Sequence, residues 1–476
     1  FEKIGKIKNQ SKVILDYAHT PDALKTCLLN LREQFPNKTI TVLFGCGGNR
    51  DQNKRPKMGK MASEYADSIV LTNDNPRFEN PQKIRRDIKK GIKKKRITEI
   101  SNRAIAITQA IHNLNSGDIL LVAGKGHERT QDIGIKKIFF SDRKVILNAI
   151  LDNNSHVAVK GPAGSGKTVL AVEAARQAAE KGEKVLFLCY NQNLSRFLSD
   201  LLSDNPLIEV YSLFGLFAKI NINLKDVGTS NLTPTDAAPI IADIMNDNFD
   251  KFDTSFDVLI IDEAQDYSSL FWPTFDLLTE NKKWFLFYDT RQAITHVDWD
   301  LPELSKKSWT TFPLTKYLRS TKEISQQVLK VYDDEYNASA ISGLEPQYIQ
   351  LKNKGWEEGL AALVQILTGL FETEKYHASQ VQILIPHSRY LEEVEQASYK
   401  PNLKIGAIKE VKIESIHKFK GLESEVVVMI LPNIESLESE TTTDVRSLIY
   451  VGMSRATSLL ILIGDQEVKA LANWSP

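Results

Sequence analysis

Short apolar runs recur along this chain, and most of them end in a loop rich in Gly, Pro, Asn or Asp. Lys12 to Tyr17 (KVILDY) runs into AHTP, and the stretch Asp22 to Gln34 that follows has apolar residues at helical spacing. That is a βα unit. Further runs at Thr39 to Phe44, Ser68 to Thr72 and Asp118 to Ala123 are each followed by a punctuated loop, a rhythm that predicts a doubly wound α/β domain. The alternation resumes at His156 to Lys160 (HVAVK), with a helix predicted from Val169 to Glu180 and strands at Val185 to Asn191 (VLFLCYN) and Phe256 to Ile261 (FDVLII). FDVLII is apolar almost throughout, as a parallel strand covered on both faces must be. The segment Trp284 to Ile294 (WFLFYDTRQAI) adds a further strand of the same kind. The fold class expected is α/β throughout.

Composition divides this pattern in two. The 476 residues suffice for about three domains, and a hydrophobic share of 42% is enough for each to bury a core. Formal net charge is zero, yet residues 1–150 carry about +14 and residues 151–476 about −14. A domain boundary near residue 150 follows. Cys27, Cys46 and Cys189 are too few and too scattered for a disulfide framework or a thiolate zinc site, which points to a reducing compartment. No apolar run approaches the roughly 18 residues of a membrane span, so no membrane partner and a cytoplasmic location are expected. The basic run Lys83 to Arg96 (KIRRDIKKGIKKKR) has no interleaved aromatics and reads as the solvated face of a helix rather than a nucleic-acid patch.

Ligands of doubly wound sheets meet the loops after the strand C-termini. In the first 150 residues those loops are DYAHTP, GCGGNRDQNKRP, TNDNPR and AGKGHE. Each sets polar or charged groups beside small residues, as a zwitterionic or phosphorylated ligand requires. Taken in this order, the four loops closely resemble the C-terminal domain of the Mur ligases, specifically the MurE type that adds the third residue of the peptidoglycan peptide. DNPR is similar to the variant that selects meso-diaminopimelate over lysine. The resemblance implies that Arg50, Asp74, Asn75, Arg77, Gly124 and Glu128 contact the incoming amino acid and that Asp16 and His19 lie near the nucleotide interface. Two guanidiniums suit a carboxylate, and Asp74 with Glu128 suits an ammonium. Mur ligases bring their own P-loop in a domain that precedes this one, so ligase activity is not expected of this chain alone.

HVAVK leads directly into GPAGSGKT, Gly161 to Thr168, and then a helix, which is the strand-loop-helix setting a phosphate-binding loop needs. Gly161, Gly164 and Gly166 let backbone amides approach phosphates, Lys167 reaches the β and γ phosphates, and Thr168 ligates Mg²⁺. About 95 residues on, FDVLII ends in DEAQD, Asp262 to Asp266. Asp262 can hold the Mg²⁺ shell while Glu263 takes a proton from the attacking water.

The DEAQ string resembles the superfamily 1 helicases. The resemblance continues through LTKYLRST, SIHKFKGLESE and YVGMSRA and covers about Val157 to Gly464. It implies that Gln292 senses the γ-phosphate, that Arg319 and Arg455 neutralise charge on the transferred phosphoryl group, and that Gly421 and Glu423 contact nucleotide. His417, in the motif that couples nucleotide to DNA, is a strand contact by the same likeness. Tyr190 and Trp299 are candidates for base stacking, although aromatics also fill cores. The KGLE form is similar to the UvrD/Rep branch. The glutamine motif that reads adenine is replaced by FFSDRKVILNAI. The intervals from Ser195 to Asp262 and from Arg319 to HKFKGLE, about 65 and just under 100 residues, leave little room for accessory lobes.

The expected architecture is a Rossmann-like Mur ligase C-terminal domain (1–150) followed by two RecA-like lobes (151–300 and 301–476). The expected function is an ATP- and Mg²⁺-dependent translocase or helicase-type ATPase on single-stranded nucleic acid, DNA in the first place, with meso-diaminopimelate a ligand of the first module. Three alternatives stay open: a MurE-type ligase component completed by another chain, a nonhydrolytic nucleotide-dependent scaffold, and an artificial join of two coding segments.

Overall fold

The computed structural model of the protein describes residues 2–6, 11–93, 96–126, 128–227, 229, 232–293, 299–302, 309–315, 317–332, 336–352, 355–397, 411–435 and 445–474. Ile294 and residues 94 and 95 of the basic run lie outside the described residues. The chain forms two compact units, the first of residues 1–158 with 306–313 and the second of residues 159–305 with 314–476.

The first unit is built on six strands, β1 (Glu2–Lys6), β2 (Lys12–Asp16), β3 (Ile40–Phe44), β4 (Ser68–Leu71), β5 (Arg96–Glu99) and β6 (Ile119–Ala123). Their order is β1-β2-β6-β3-β4-β5, with every neighbouring pair parallel except β1 with β2. The helix Pro21–Gln34 begins where Thr20 accepts from the Ala23 amide and proline occupies the first turn, and it buries Leu24, Leu28 and Leu31. In the basic run, a helix spans Pro81–Lys89 and buries Ile84, Arg85 and Ile88, leaving Lys83, Arg86 and Lys89 exposed. Ile84 and Ile88 join the core between the sheet and its helices. A small hairpin, β7 (Thr130–Ile133) with β8 (Lys136–Phe139), follows β6. The helix Asp142–Asn153 belongs to this unit beyond residue 150 because Asp142 is tied to Arg103, both fully buried, through contacts of 2.7 and 2.6 Å.

The second unit carries two sheets. The first holds β9 (His156–Lys160), whose last two residues belong to this unit, β10 (Val185–Cys189), β11 (Ile208–Ser212), β12 (Val258–Asp262) and β13 (Lys283–Tyr288), in the order β11-β10-β12-β13-β9, whereas β14 (Thr310–Pro313) belongs to the first unit. All five positions of β10 and of β12 are buried. VLFLCYN stops being a strand at Cys189 because Asn191 turns to cap the next helix, accepting from the amides of Asn193 and Leu194. The second sheet, β15 (Gln347–Gln350), β16 (Val381–Ile385), β17 (Lys412–Ser415), β18 (Ser424–Leu431) and β19 (Ala456–Gly464), runs β15-β19-β18-β16-β17, all parallel. Its two faces close over separate apolar clusters. One holds Val427, Met429, Leu460 and Leu462, and the other Val426, Val428, Ile461 and Ile463.

Candidate functional site

Between Lys160 at the end of β9 and the helix Lys167–Glu180 the chain turns through Gly164 (φ 70°) and Gly166 (φ 91°), left-handed backbone that glycine alone adopts without strain. The turn and the first residues of the helix, Gly164, Gly166, Lys167 and Thr168, line one cleft. Lys167 is buried, and its ammonium donates to the carbonyls of Gly161 (2.9 Å) and Pro162 (3.1 Å). Thr168 Oγ1 donates to Asp262 Oδ2 at 2.6 Å. The other oxygen, Asp262 Oδ1, is buried and makes no hydrogen bond. A threonine hydroxyl and a carboxylate with one open oxygen, beside a glycine turn at a helix N-terminus, fit the needs of Mg²⁺, a hard cation that takes few protein ligands and completes its shell with ligand oxygens and water.

Glu263 follows at φ 52°, an uncommon conformation for a glutamate, which turns its side chain off the strand end. Burial and the adjacent Glu263 push the Asp262 carboxyl up to about 7. Burial would raise Glu263 as well, but Lys167, Lys420 and Arg455 outweigh it and hold that carboxyl well below the ordinary range. The two carboxyls are thus pushed in opposite directions, and a cation at Oδ1 would favour the charged form of Asp262.

The second sheet contributes the opposite wall. Arg455, almost fully buried beyond the helix Val445–Met453, donates to Gln292 Oε1 at 3.0 Å and to Ser454 Oγ at 2.7 Å. Burial, and then the charge of Arg319, lowers its guanidinium to about 10, so it remains protonated at neutral pH. Arg319 is held by Glu423 and stands beside Gly164, where a Cβ on the glycine would lie 3.0 Å from the arginine's own. Gly421 (φ 87°) closes the floor. The cleft among Gly164, Gly166, Lys167, Thr168, Glu263, Gln292, Arg319, Gly421 and Arg455 encloses only about 30 Å³. Gly161 meets Lys167 through its carbonyl, and Glu423 reaches the cleft through Arg319.

The strand-contact candidates sit differently. Tyr190 is half-buried, with its ring edge on Tyr267 at 5.6 Å. Trp299 packs on Tyr288 at 4.7 Å and on Trp272, so much of its face is taken by protein. His417 stacks on His387 at 5.8 Å, and burial, then His387 and Lys420, lowers its imidazole to about 4. Beside them Asn191, which sequence reasoning passed over, donates to the carbonyls of His417, Lys418 and Lys420 at 3.3 to 3.4 Å. A cavity of about 640 Å³ opens near the end of β10, lined by Gln192, Ser195, Arg196, Ser212, Phe214 and Asn221 among others. Also missed were Lys420, which bridges Asp266 and the Gln292 carbonyl, and Asp289 and Tyr450. Each stood inside a quoted string, Asp266 in DEAQD, Lys420 in KGLE, Tyr450 in YVGMSRA and Asp289 in WFLFYDTRQAI, but none was singled out there.

In the first unit the four loops all leave the same end of the parallel sheet. Asp74 and Asn75 are buried. Asn75 donates to Glu128 Oε2 (2.9 Å) and accepts from Lys125 (3.1 Å) and from the Asp132 amide (3.0 Å). Lys125, fully buried and unnoticed in the sequence, also donates to Glu128 Oε2 at 3.0 Å. Burial opposes ionisation of Glu128, but the Lys125 and Asn75 bonds prevail and lower it. Gly124 (φ 109°) stands where a Cβ would lie 2.9 Å from Asp74 Oδ2. Arg77 donates to the Gly48 carbonyl at 2.8 Å, whereas Arg50 is exposed on the same GGNR loop. Asp16, half-buried, accepts from the Ala18 amide at 2.8 Å, and His19 is exposed with Nδ1 2.9 Å from the Tyr17 carbonyl.

Comparisons with known proteins follow this division. Residues 1–126 match the Mur ligase, glutamate ligase domain. The chain is 46% identical over 166 residues to UDP-N-acetylmuramoyl-L-alanyl-D-glutamate–2,6-diaminopimelate ligase of Chlorobium phaeobacteroides, covering 35% of this chain and 32% of that one. It is 50% identical over 149 residues to the ligase of the same name from Rickettsia montanensis, covering 31% of each. A solved structure of such a ligase aligns at 40% identity over 31% of this chain and 30% of its own, with a TM-score of 0.30. The chain thus spans about a third of the length of the curated relatives it matches. Residues 82–467 match the UvrD-like helicase C-terminal domain, a span that begins inside the first unit and takes in both sheets of the second. By that match, which extends over most of its length, the chain belongs to the UvrD-like helicase C-terminal domain family.

Proposed function

We propose that residues from about Val157 onward form an ATP-hydrolysing motor that moves along single-stranded DNA, with the two sheets of the second unit acting as RecA-like lobes. The observation that carries this reading is the pairing of Thr168 and the half-open Asp262 carboxylate with the adjacent Glu263, facing Gln292 and Arg455. Mg²⁺ held by Thr168 and Asp262 would neutralise charge on the β and γ phosphates. Lys167 leaves its loop carbonyls to meet those phosphates, and Arg319 leaves Glu423. Glu263 accepts a proton from the attacking water, and Arg455 meets the charge that develops on the transferred phosphoryl group. The lobes part to load ATP and close on it. Asn191, fixed between the lobes, and the cavity near Arg196 and Phe214 offer the cation and aromatic face that a sugar-phosphate strand requires. Lys167→Ala or Glu263→Gln should abolish ATP hydrolysis by the full chain, and unchanged turnover in either removes the assignment.

The loops of the first unit favour a second, separate reading for that unit: a site for an amino acid carrying both carboxylate and ammonium, meso-diaminopimelate by likeness to the relatives. Arg50 and Arg77 would face its carboxylate, and Asp74 its ammonium. Calorimetric titration with meso-diaminopimelate and with lysine tests it. Equal heats, or none, would count against the reading.

A further inference from the structure

The hairpin of β7 and β8 in the first unit is anchored at its base and bare at its tip. Gln131 donates to the Asp74 carbonyl, the Asp132 amide donates to Asn75 Oδ1 at 3.0 Å, and the Thr130 carbonyl accepts from the buried Lys125 ammonium at 2.6 Å. The Arg77 amide donates to the Asp132 carbonyl at 3.0 Å, and the Gly134 amide donates to the Arg77 carbonyl at 2.7 Å. These two bonds place Phe78 beside the turn. Ile133, Ile135, Ile138 and Phe139 are all exposed, Ile135 at 92% and Phe139 at 71%, and Phe78 stands at 72%. Large apolar residues scattered singly over a surface are ordinary, whereas five on one projection mark an interaction site.

The register of the hairpin decides what can cover them. Thr130 pairs with Phe139, Gln131 with Ile138, Asp132 with Lys137 and Ile133 with Lys136. Successive strand residues point to opposite faces, so Ile133 and Ile138 project from one face, Phe139 from the other, and Ile135 from the turn. A flat protein surface would bury one face and leave the other wet. A medium that takes in the tip from every side covers both. The cations follow the same arrangement, with exposed Lys136 on the isoleucine face, exposed Lys137 on the Phe139 face and exposed Arg129 at the base. Asp132, the one acid of the two strands, is paired with Arg77 at 3.9 Å. A lysine lays its stem along apolar surface and extends its ammonium outward, which suits the boundary between acyl chains and anionic headgroups. Four-residue strands reach about 13 Å at roughly 3.3 Å per residue, and interfacial segments seat about 5–10 Å deep, so the tip enters while the anchored base stays out.

We propose that this hairpin, together with Phe78, docks the first unit on the surface of a bilayer that carries anionic lipid. The excess of about +14 in residues 1–150 attracts the unit to such a surface before the tip makes contact. No helix among the described residues is long and apolar enough to cross a membrane, and docking at the interface requires none. The bonds to Asp74, Asn75 and Arg77 hold the hairpin ready, so little chain freedom is lost on docking.

The test is co-sedimentation of the full chain with extruded vesicles of phosphatidylcholine alone and of equimolar phosphatidylcholine and phosphatidylglycerol. The chain should bind the anionic vesicles at least about tenfold more tightly than the neutral ones. Ile135→Asp combined with Phe139→Asp should weaken that binding at least about tenfold, and Lys136→Gln combined with Lys137→Gln about tenfold. Lys83→Gln combined with Arg86→Gln, on the basic helix, should weaken it less than about threefold. No binding to the anionic vesicles, or binding that the hairpin variants leave intact, overturns the proposal. An equal loss from the Lys83 and Arg86 pair also overturns it, since net charge alone would then account for the attraction. Sedimentation velocity supplies a further arm: a dimer of the unaltered chain that Ile135→Asp splits would put a second copy on the hairpin and overturn the bilayer. If the paired aspartate variant does not fold, Ile135→Asp alone decides on the same vesicles.

Discussion

Replacing Lys420 by methionine keeps most of the stem and removes the charge that lies between the two sheets of the second unit. Its ammonium is 2.5 Å from Asp266 Oδ1 and 2.5 Å from the Gln292 carbonyl, and the two side chains are 4% and 3% exposed. At an effective dielectric of about 20 the attraction at that separation is roughly 6 to 7 kcal/mol, much of it offset by the desolvation of both ions. The pair is therefore worth little against a well-packed apolar pair, whereas removing one partner strands the other. Lys420→Met or Asp266→Leu alone should cost about 3–5 kcal/mol. The double variant strands neither charge and leaves chiefly the Gln292 carbonyl unpaired, about 1–3 kcal/mol, so it should be more stable than either single variant. Urea unfolding followed by tryptophan fluorescence reads this, since Trp272 and Trp284 are buried beneath this region. Single losses below about 1 kcal/mol, or a double variant as unstable as the sum of its parts, would refute the reasoning.

Three further outcomes are expected. Arg103→Met breaks the fully buried bidentate contact with Asp142 and should cost the first unit about 3–5 kcal/mol, with Arg103→Lys recovering only part because one ammonium cannot make both bonds; thermal unfolding checks it. Thr168→Val should raise the Mg²⁺ concentration needed for half-maximal hydrolysis at least about tenfold, and chelation should stop turnover in the unaltered chain; an unchanged Mg²⁺ titration would remove Thr168 from the metal site. His417 is lowered from 6.5 to about 4, so the unfolded chain takes up the proton first and stability declines as pH falls from about 6.5 toward 4. His417→Asn should flatten denaturation midpoints across that window, and an unaltered slope would contradict the burial argument.

The parts of this molecule legible in its sequence are those encoded locally. GPAGSGKT needs a strand before it and a helix after it within a few residues, and β9 and the helix Lys167–Glu180 supply both. DEAQD follows an all-apolar run because its strand is covered on both faces. The bonds that join the motifs are not local. Ala163 meets Tyr450 across 287 positions and Lys420 meets Asp266 across 154, and no periodicity relates such pairs. Nor does the apolar pattern say whether an aromatic faces solvent. Trp299 stands against Tyr288 and Trp272, a cluster that side-chain packing alone defines. The edge of the first unit was blurred for the same reason: Asp142 follows a polar break, yet a buried ion pair with Arg103 draws its helix into that unit.

The central claim, that the cleft hydrolyses ATP to drive movement along a strand, is tested most directly by phosphate release with and without a single-stranded oligonucleotide. The full chain should turn over ATP, accelerate at least about tenfold with the oligonucleotide, and fall to background as Glu263→Gln under both conditions. Turnover that ignores the strand, or that survives in Glu263→Gln, would contradict the account.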